Sequence, residues 1–218
     1  MTYCIQNIRP SHDGEKVELQ VEARDGNHRE RRDLCLASEF FLGLSLPTSL
    51  SAPMETEQET VERLDYLSAL TDAIGKGLNL LSFSDNTEKG LKNKLIQRGC
   101  HRDAAEEAAA YLRRKGFIRE ESQAEMLVLS LAMKKWYGEA RIRQELFTKG
   151  FDPAVIARAL EETEADYPLA CAKRIESMGG LSLFAEQKSR IKTMASLSRY
   201  GFSYDVIRDA IRILKEQK

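Results

Sequence analysis

Leu95-Ile96-Gln97-Arg98-Gly99, Leu146-Phe147-Thr148-Lys149-Gly150 and Leu197-Ser198-Arg199-Tyr200-Gly201 are three versions of one phrase, and their glycines stand 51 residues apart in both intervals. Self-similarity at a fixed period marks a chain built from repeated supersecondary units. Each glycine follows a run with basic or polar residues in its last turn. A helix closes there on a left-handed residue that has no Cβ to clash. The next residue, Cys100, Phe151 or Phe202, is apolar. Two positions past the glycines stand His101, Asp152 and Ser203; the last two are good N-caps, and Pro153 falls in the first turn, where its missing N–H costs little. A new helix opens after each glycine.

The register of those following helices matches across the copies. Ala105, Ala108 and Ala109 correspond to Ile156, Ala159 and Leu160, and then to Ile207, Ala210 and Ile211, three versions of one core face. Upstream, Leu91 and Leu95 correspond to Ile142 and Leu146, and more weakly to Thr193 and Leu197. Each period also holds a preceding helix, as in Gln123 to Trp136 and Pro168 to Met178. The unit is therefore three helices, and three such units in tandem are expected to stack into an elongated, curved rod.

The first forty residues have a different period. Val17, Leu19, Val21 and Ala23 alternate with Glu18, Gln20 and Glu22, and Asp25-Gly26-Asn27 supplies a turn before a second run ending at Leu34-Cys35-Leu36. With a further strand at Tyr3 to Ile8 this predicts a small β-hairpin or meander, since a lone hairpin is marginal in water. A helical turn at Phe40-Phe41-Leu42 follows, and then a Pro/Ser/Thr-rich stretch that reads as a linker. From about Thr60 the apolar spacing is three and four (Val61, Leu64, Leu67, Leu70, Ile74) and stays helical. The predicted organisation is a β-rich region at 1–45, an acidic linker at 46–59, and three-helix repeats at 60–116, 117–166 and 167–218; the fold class is mainly α.

In 218 residues, 33 Lys+Arg nearly balance 34 Asp+Glu, which argues against a polycation that coats nucleic acid through composition alone. The balance hides an asymmetry: residues 1–86 carry 8 Lys+Arg and 15 Asp+Glu, residues 87–218 carry 25 and 19. Any nucleic-acid binding must be local, and the two parts are expected to do different work, with chance scatter of solvated charges as the alternative. No run of about 18 apolar residues spans a membrane, and Met1 to Asn7 lacks a basic n-region and an apolar h-region, so a cytoplasmic chain is expected. Cys4, Cys35, Cys100 and Cys171 include no close pair, and His12, His28 and His101 do not complete a zinc site; reduced structural thiols are the simpler reading. Gly75-Lys76-Gly77 lacks the spacing of a phosphate loop, and Lys76 reads as a solvated helix-end residue. Carboxylate pairs such as Glu106-Glu107 and Glu161-Glu162 sit among Lys and Arg on helix surfaces, where i,i+4 pairing explains them. No catalytic residue, metal site or cofactor is assigned.

The residues around the glycines are similar to those of the RecX family, bacterial modulators of the RecA recombinase. The likeness covers roughly residues 60 to 218 and is strongest in the middle unit, at Gly138, Arg141-Ile142, Glu145-Leu146 and Gly150-Phe151. Arg199-Tyr200-Gly201-Phe202 resembles the family's third-repeat ending, and Gly116-Phe117-Ile118 its glycine-apolar-isoleucine phrase. The acidic pair that usually follows appears as Arg119-Glu120, so one family position has changed sign. The β extension and acidic linker also resemble what many members carry. The resemblance implies a non-enzymatic, monomeric regulator that lies in the helical groove of the RecA filament on DNA, bridges protomers, and depresses ATP hydrolysis and strand exchange.

The candidate contacts are basic. Arg113, Arg114 and Lys115 end one helix, Lys134 and Lys135 end another, and Lys188, Arg190 and Lys192 alternate at the start of a third. Lys92 and Arg98, then Arg141, Arg143 and Lys149, then Arg199 lie on the helices that lead into the three glycines. Cations near a helix C-terminus are favoured by the macrodipole without any ligand, so each cluster has a structural reading beside the functional one. Lining one side of the rod, they would form a groove for the filament or for single- or double-stranded DNA. Direct DNA binding and a helical adaptor with another partner stay as alternatives. Trp136 reads as a packing residue, with stacking on a base or partner as the alternative.

Overall fold

The structure, a computed structural model, describes residues 2–216. Three strands, β1 (Thr2–Pro10), β2 (Lys16–Asp25) and β3 (His28–Ala37), form an antiparallel meander, with Asp25 opposite His28 across a two-residue loop. A fourth strand, β4 (Met54–Thr56), pairs with Tyr3, Cys4 and Ile5 at the edge, so the sheet order is β3-β2-β1-β4. The stretch read as a linker thus contains a strand, too short for its period to show.

The alternation in β2 buries Val17, Leu19, Val21 and Ala23. Glu22, on the other face, is also buried, because Arg24 and Arg31 close over its carboxylate, the latter at 2.7 Å. The short helix α1 (Ser38–Leu42) buries Phe41 and sets Phe40 edge-on to Tyr111. Next to it the long helix α2 (Gln58–Phe83) runs along the β3 edge. Ser68 Oγ accepts the Cys35 N–H at 3.1 Å, Thr71 Oγ1 accepts the Ala37 N–H at 2.9 Å, and Asp65 pairs with Arg32 at 2.7 Å. Side chains thereby satisfy backbone donors that an open edge would offer to another chain. The sheet, α2, α3 (Glu88–Gln97) and α4 (Arg102–Arg114) share one core, from Ile5 and Leu36 through Leu64 to Leu91, Leu95 and Leu112. Residues 1–118 form one compact unit.

Residues 119–218 form the second. Within it α5 (Glu120–Lys135), α6 (Glu139–Thr148) and α7 (Pro153–Glu162) close on Val128, Ile142, Leu146 and Ile156; α8 (Tyr167–Met178), α9 (Gln187–Arg199) and α10 (Tyr204–Glu216) close on Ile175, Leu197 and Ile207. The matched positions are core in every copy: Leu91 and Leu95, Ile142 and Leu146, Thr193 and Leu197 are all buried. Gly99, Gly150 and Gly201 have φ of 84°, 90° and 90°. At each, the N–H of the next residue returns to the carbonyl of the leucine four before the glycine (Cys100 to Leu95 at 3.1 Å, Phe151 to Leu146 and Phe202 to Leu197 at 3.2 Å). That is the six-to-one closure of a helix on a left-handed residue, and it explains why leucine and glycine recur together. Asp152 caps α7 through Ala154 N–H, and Ser203 Oγ approaches Val206 N–H; His101 makes no side-chain cap.

Two features depart from the sequence reading. Helix α5 begins three residues earlier than expected, with Glu120 and Glu121 in a first turn that favours acids, and it ends on Trp136 in the left-handed conformation, φ 52°. The third unit carries an extra 3-10 turn, Gly180–Phe184, between α8 and α9. Shorter α7 and α8, of 10 and 12 residues against 13 and 16 for α4 and α5, absorb those residues, so the glycine period gave no sign of them.

Candidate partner-binding interface

Helix α9 separates its cations by face. Lys188, Lys192 and Arg199, at intervals of four and seven, fall on one side of the helix, all exposed and with no ion pair among the described residues. Arg190, two positions from Lys188, projects to the opposite side, with Met194. The sequence placed Lys188, Arg190 and Lys192 together; the structure gives one stripe of cations and one cation elsewhere.

The other clusters are largely engaged within the chain. Arg113 pairs with Glu88 at 2.9 Å and Arg114 with Glu107 at 3.0 Å. Lys115 pairs with Glu39 at 3.3 Å over the Tyr111 ring, whose hydroxyl also donates to Glu39. The Tyr111 hydroxyl and Lys115 hold the Glu39 carboxyl below its ordinary range, and Glu39 holds the Lys115 ammonium above its own. Lys92 pairs with Glu106, Arg143 with Glu139 at 2.8 Å, and Arg141 with Glu145 at 2.7 Å while lying 5.7 Å from the Tyr137 ring centre. Lys149 is engaged as well. Exposed pairs of this kind contribute only about 0.2–1 kcal/mol. Even so, a ligand must displace them, whereas Arg98, Lys134, Lys135, Lys188, Lys192 and Arg199 have no ion pair among the described residues to give up. Lys76 lies inside α2, seven residues before its end, and not at a helix end as the sequence suggested; it pairs with Asp72 one turn earlier at 2.7 Å.

Lys134 and Lys135 stand at a built joint between the second and third three-helix units. Gly138 N–H donates to Tyr200 O at 2.8 Å and Ala140 N–H to Gly201 O at 3.3 Å. Backbone meets backbone: a Cβ on Gly138 would lie 2.3 Å from Gly201 C and O, and one on Gly201 would lie 2.3 Å from Arg141 N. Arg174, which the sequence did not single out, locks this joint. Its guanidinium lies 3.9 Å from the Tyr200 ring centre and 5.6 Å from that of Trp136, and its Nη2 donates to Lys135 O at 2.9 Å. A left-handed bulky residue is a genuine outlier, so Trp136 is held by its surroundings. It is half-buried against Arg174 at the joint. The signal that could have found Arg174 is weak, one arginine beside the buried Cys171-Ala172 pair.

Lys173 next to it is exposed, forms no ion pair among the described residues, and lines, with Trp136, Met133 and Leu169, a pocket of about 190 Å³. It extends the free cations of this region. The four cysteines are free, and no three His, Cys, Asp or Glu side chains converge as a metal site among the described residues. His101 and Asp103, both exposed, approach to 3.8 Å. Among the described residues no helix is long and apolar enough to cross a membrane.

The chain matches two family patterns, RecX first three-helix domain over residues 73–112 and RecX second three-helix domain over residues 120–160. A regulatory protein RecX of Stenotrophomonas maltophilia is 33% identical over 139 residues, covering 64% of this chain and 85% of that protein. One from Clostridioides difficile is 28% identical over 205 residues, covering 91% and 94%. A crystal structure of a regulatory protein RecX superposes with a TM-score of 0.68 at 19% identity over 95% of this chain and 99% of that one, a likeness of fold. With its left-handed glycines, its matched three-helix cores and these relatives, the chain belongs to the RecX family of regulatory proteins.

Proposed function

We propose that this protein is a non-enzymatic, cytoplasmic regulator of a RecA-type recombinase: it docks as a monomer in the helical groove of the filament on DNA and depresses ATP hydrolysis and strand exchange. Family membership supports this reading, and one observation carries it: the stripe Lys188, Lys192 and Arg199, with Lys134 and Lys135, is cationic, exposed and without an ion pair among the described residues. Such a stripe meets an acidic protein groove or a row of phosphates without first breaking ion pairs of its own. Regulation then follows from differential affinity. A protein that binds a slow-hydrolysing filament state tenfold better than the alternative shifts that equilibrium by about 1.4 kcal/mol, whatever its absolute affinity.

The test is charge reversal at residues that do not hold the fold. K188E/K192E/R199E and K134E/K135E are each expected to weaken inhibition of DNA-dependent ATP hydrolysis at least tenfold with helicity unchanged. Unchanged inhibition in both discards this surface. Arg141 and Arg143, engaged with Glu145 and Glu139, are the comparison set and are expected to matter less. The same stripe also favours a second reading, direct competition for DNA. That reading requires affinity for bare DNA that falls steeply with salt, a log–log slope of about −0.9 per phosphate neutralised on duplex, and an effect on the recombinase that tracks DNA occupancy.

A further inference from the structure

The third unit departs from the other two in one place, and the departure makes a pocket. In the first and second units the first helix reaches the second through residues 84–87 and 136–138; in the third the connection runs over residues 179–186 and contains the 3-10 turn. Leu181 and Phe184 of that turn, Met194 of α9, and Ile207 and Ile211 of α10 line a pocket of about 380 Å³. Its apolar wall includes a position of the repeated core face. Ala109 and Leu160 are buried in their units, whereas the matching Ile211 is only half-buried.

The polar wall has one sign. Arg190, Arg208 and Lys215 line it, with Tyr204, and no described carboxylate does. Asp205 at 3.1 Å and Asp209 at 4.0 Å offset part of the Arg208 charge from outside the lining; Arg190 and Lys215 form no ion pair among the described residues. In a chain whose charges nearly cancel, an apolar hollow bordered only by cations and a phenol that is 62% exposed is a selective environment.

We propose that this pocket docks a short acidic peptide segment of a partner protein through one large apolar side chain, with flanking carboxylates on Arg190, Lys215 and the free side of Arg208. The charge complementarity selects an anion, and the wall chemistry selects a side chain over a nucleobase. Leu181, Met194, Ile207 and Ile211 offer no donor or acceptor to a base edge, whose polar atoms would be desolvated without partners. An apolar anchor ringed by charge-assisted hydrogen bonds is the recurring form of such recognition. The site is separate from the α9 stripe, which lies on the other side of that helix, so it stands or falls independently of the recombinase reading.

The experiment uses the full chain and a fluorescein-labelled nonapeptide, acidic except for one central phenylalanine, followed by anisotropy at about 0.15 M salt, where long-range attraction is screened beyond about 8 Å. Saturable binding with Kd on the order of 10–100 µM is expected. A185W, which fills the pocket mouth from an exposed position, and R190Q/K215Q are each expected to weaken it about tenfold or more. Replacing the peptide's phenylalanine by alanine is expected to do the same, while K188E/K192E/R199E changes binding less than about threefold. The proposal is overturned by the absence of saturable binding, by equal affinity for the alanine peptide, or by binding that ignores both pocket variants. Displacement by a single-stranded oligonucleotide that A185W blocks equally would assign the pocket to nucleic acid instead and overturn it too.

Discussion

Gly138→Ala tests the joint between the second and third units. The added Cβ would lie 2.3 Å from Gly201 C and O and 2.6 Å from Phe202 N, where ordinary contact begins near 3.4 Å. Every atom it meets is backbone, so no flexible side chain can swing aside, and relief requires the two units to part. Parting removes the Gly138 to Tyr200 bond of 2.8 Å and the Ala140 to Gly201 bond of 3.3 Å. Overpacking costs about 1–3 kcal/mol, and each lost hydrogen bond about 0.5–1.5 net. The expected loss is about 2–6 kcal/mol. Trp136, the only tryptophan, sits at the joint against Arg174, so its fluorescence in a urea titration reports this region. With a slope of about 2 kcal/mol/M the midpoint falls by about 1–3 M. Gly75→Ala is the control: its Cβ would meet nothing within 4 Å inside α2, and it should gain about 0.5–1 kcal/mol. Gly201→Ala, with φ 90° and Arg141 N at 2.3 Å, should cost at least as much as Gly138→Ala. A Gly138→Ala midpoint equal to wild type would refute the close approach and the joint built on it.

Other perturbations probe separate parts of the account. Tyr167 Oη is buried without a hydrogen-bond partner among the described residues, so Tyr167→Phe should stabilise the fold by up to about 1 kcal/mol in thermal melts; a loss of that size would mean the hydroxyl is used. Burial pushes the Tyr167 phenol and the Cys171 thiol each up to about 12, from 10 and 9. The unfolded chain therefore ionises first, and stability should be fully present below pH 9 and decline as pH rises towards 12, less steeply in Tyr167→Phe. Arg31 and Arg24 hold the Glu22 carboxyl below its ordinary 4.5, so its contribution is present above that value and lost as pH falls beneath it; melting curves of wild type and Glu22→Gln should converge in acid. Arg174→Lys keeps the charge but loses the planar stack on Tyr200 and Trp136, and should cost about 1–2 kcal/mol with a shift in Trp136 emission, whereas unchanged emission would remove Arg174 from the joint.

The helical units were legible because their signal is redundant. Leu146, Gly150 and Phe151 each have a counterpart 51 residues away on both sides, and one closure geometry demands all three residue types. The meander was legible at Val17 to Ala23 because burial on one face imposes a period of two. That period says a face is covered, not what covers it, so the shared core with Leu64 and Leu112 was invisible. Met54 to Thr56 is too short for any period, and the extra turn at Gly180 to Phe184 left the glycine spacing intact. For the interface, composition located the cations but not their partners. Glu39 is 76 residues from the Lys115 it holds, and Arg174 is 38 from Trp136. Lys188 and Lys192 are exposed and form no ion pair among the described residues, which their spacing alone does not reveal.

The central claim is tested most directly by the steady-state ATPase of the cognate RecA-type recombinase on single-stranded DNA, with this protein titrated in and bare-DNA binding recorded in the same buffer. The account predicts inhibition at concentrations where bare DNA stays largely unbound, relieved at least tenfold by K188E/K192E/R199E. No inhibition, or inhibition that only follows DNA occupancy, would contradict it.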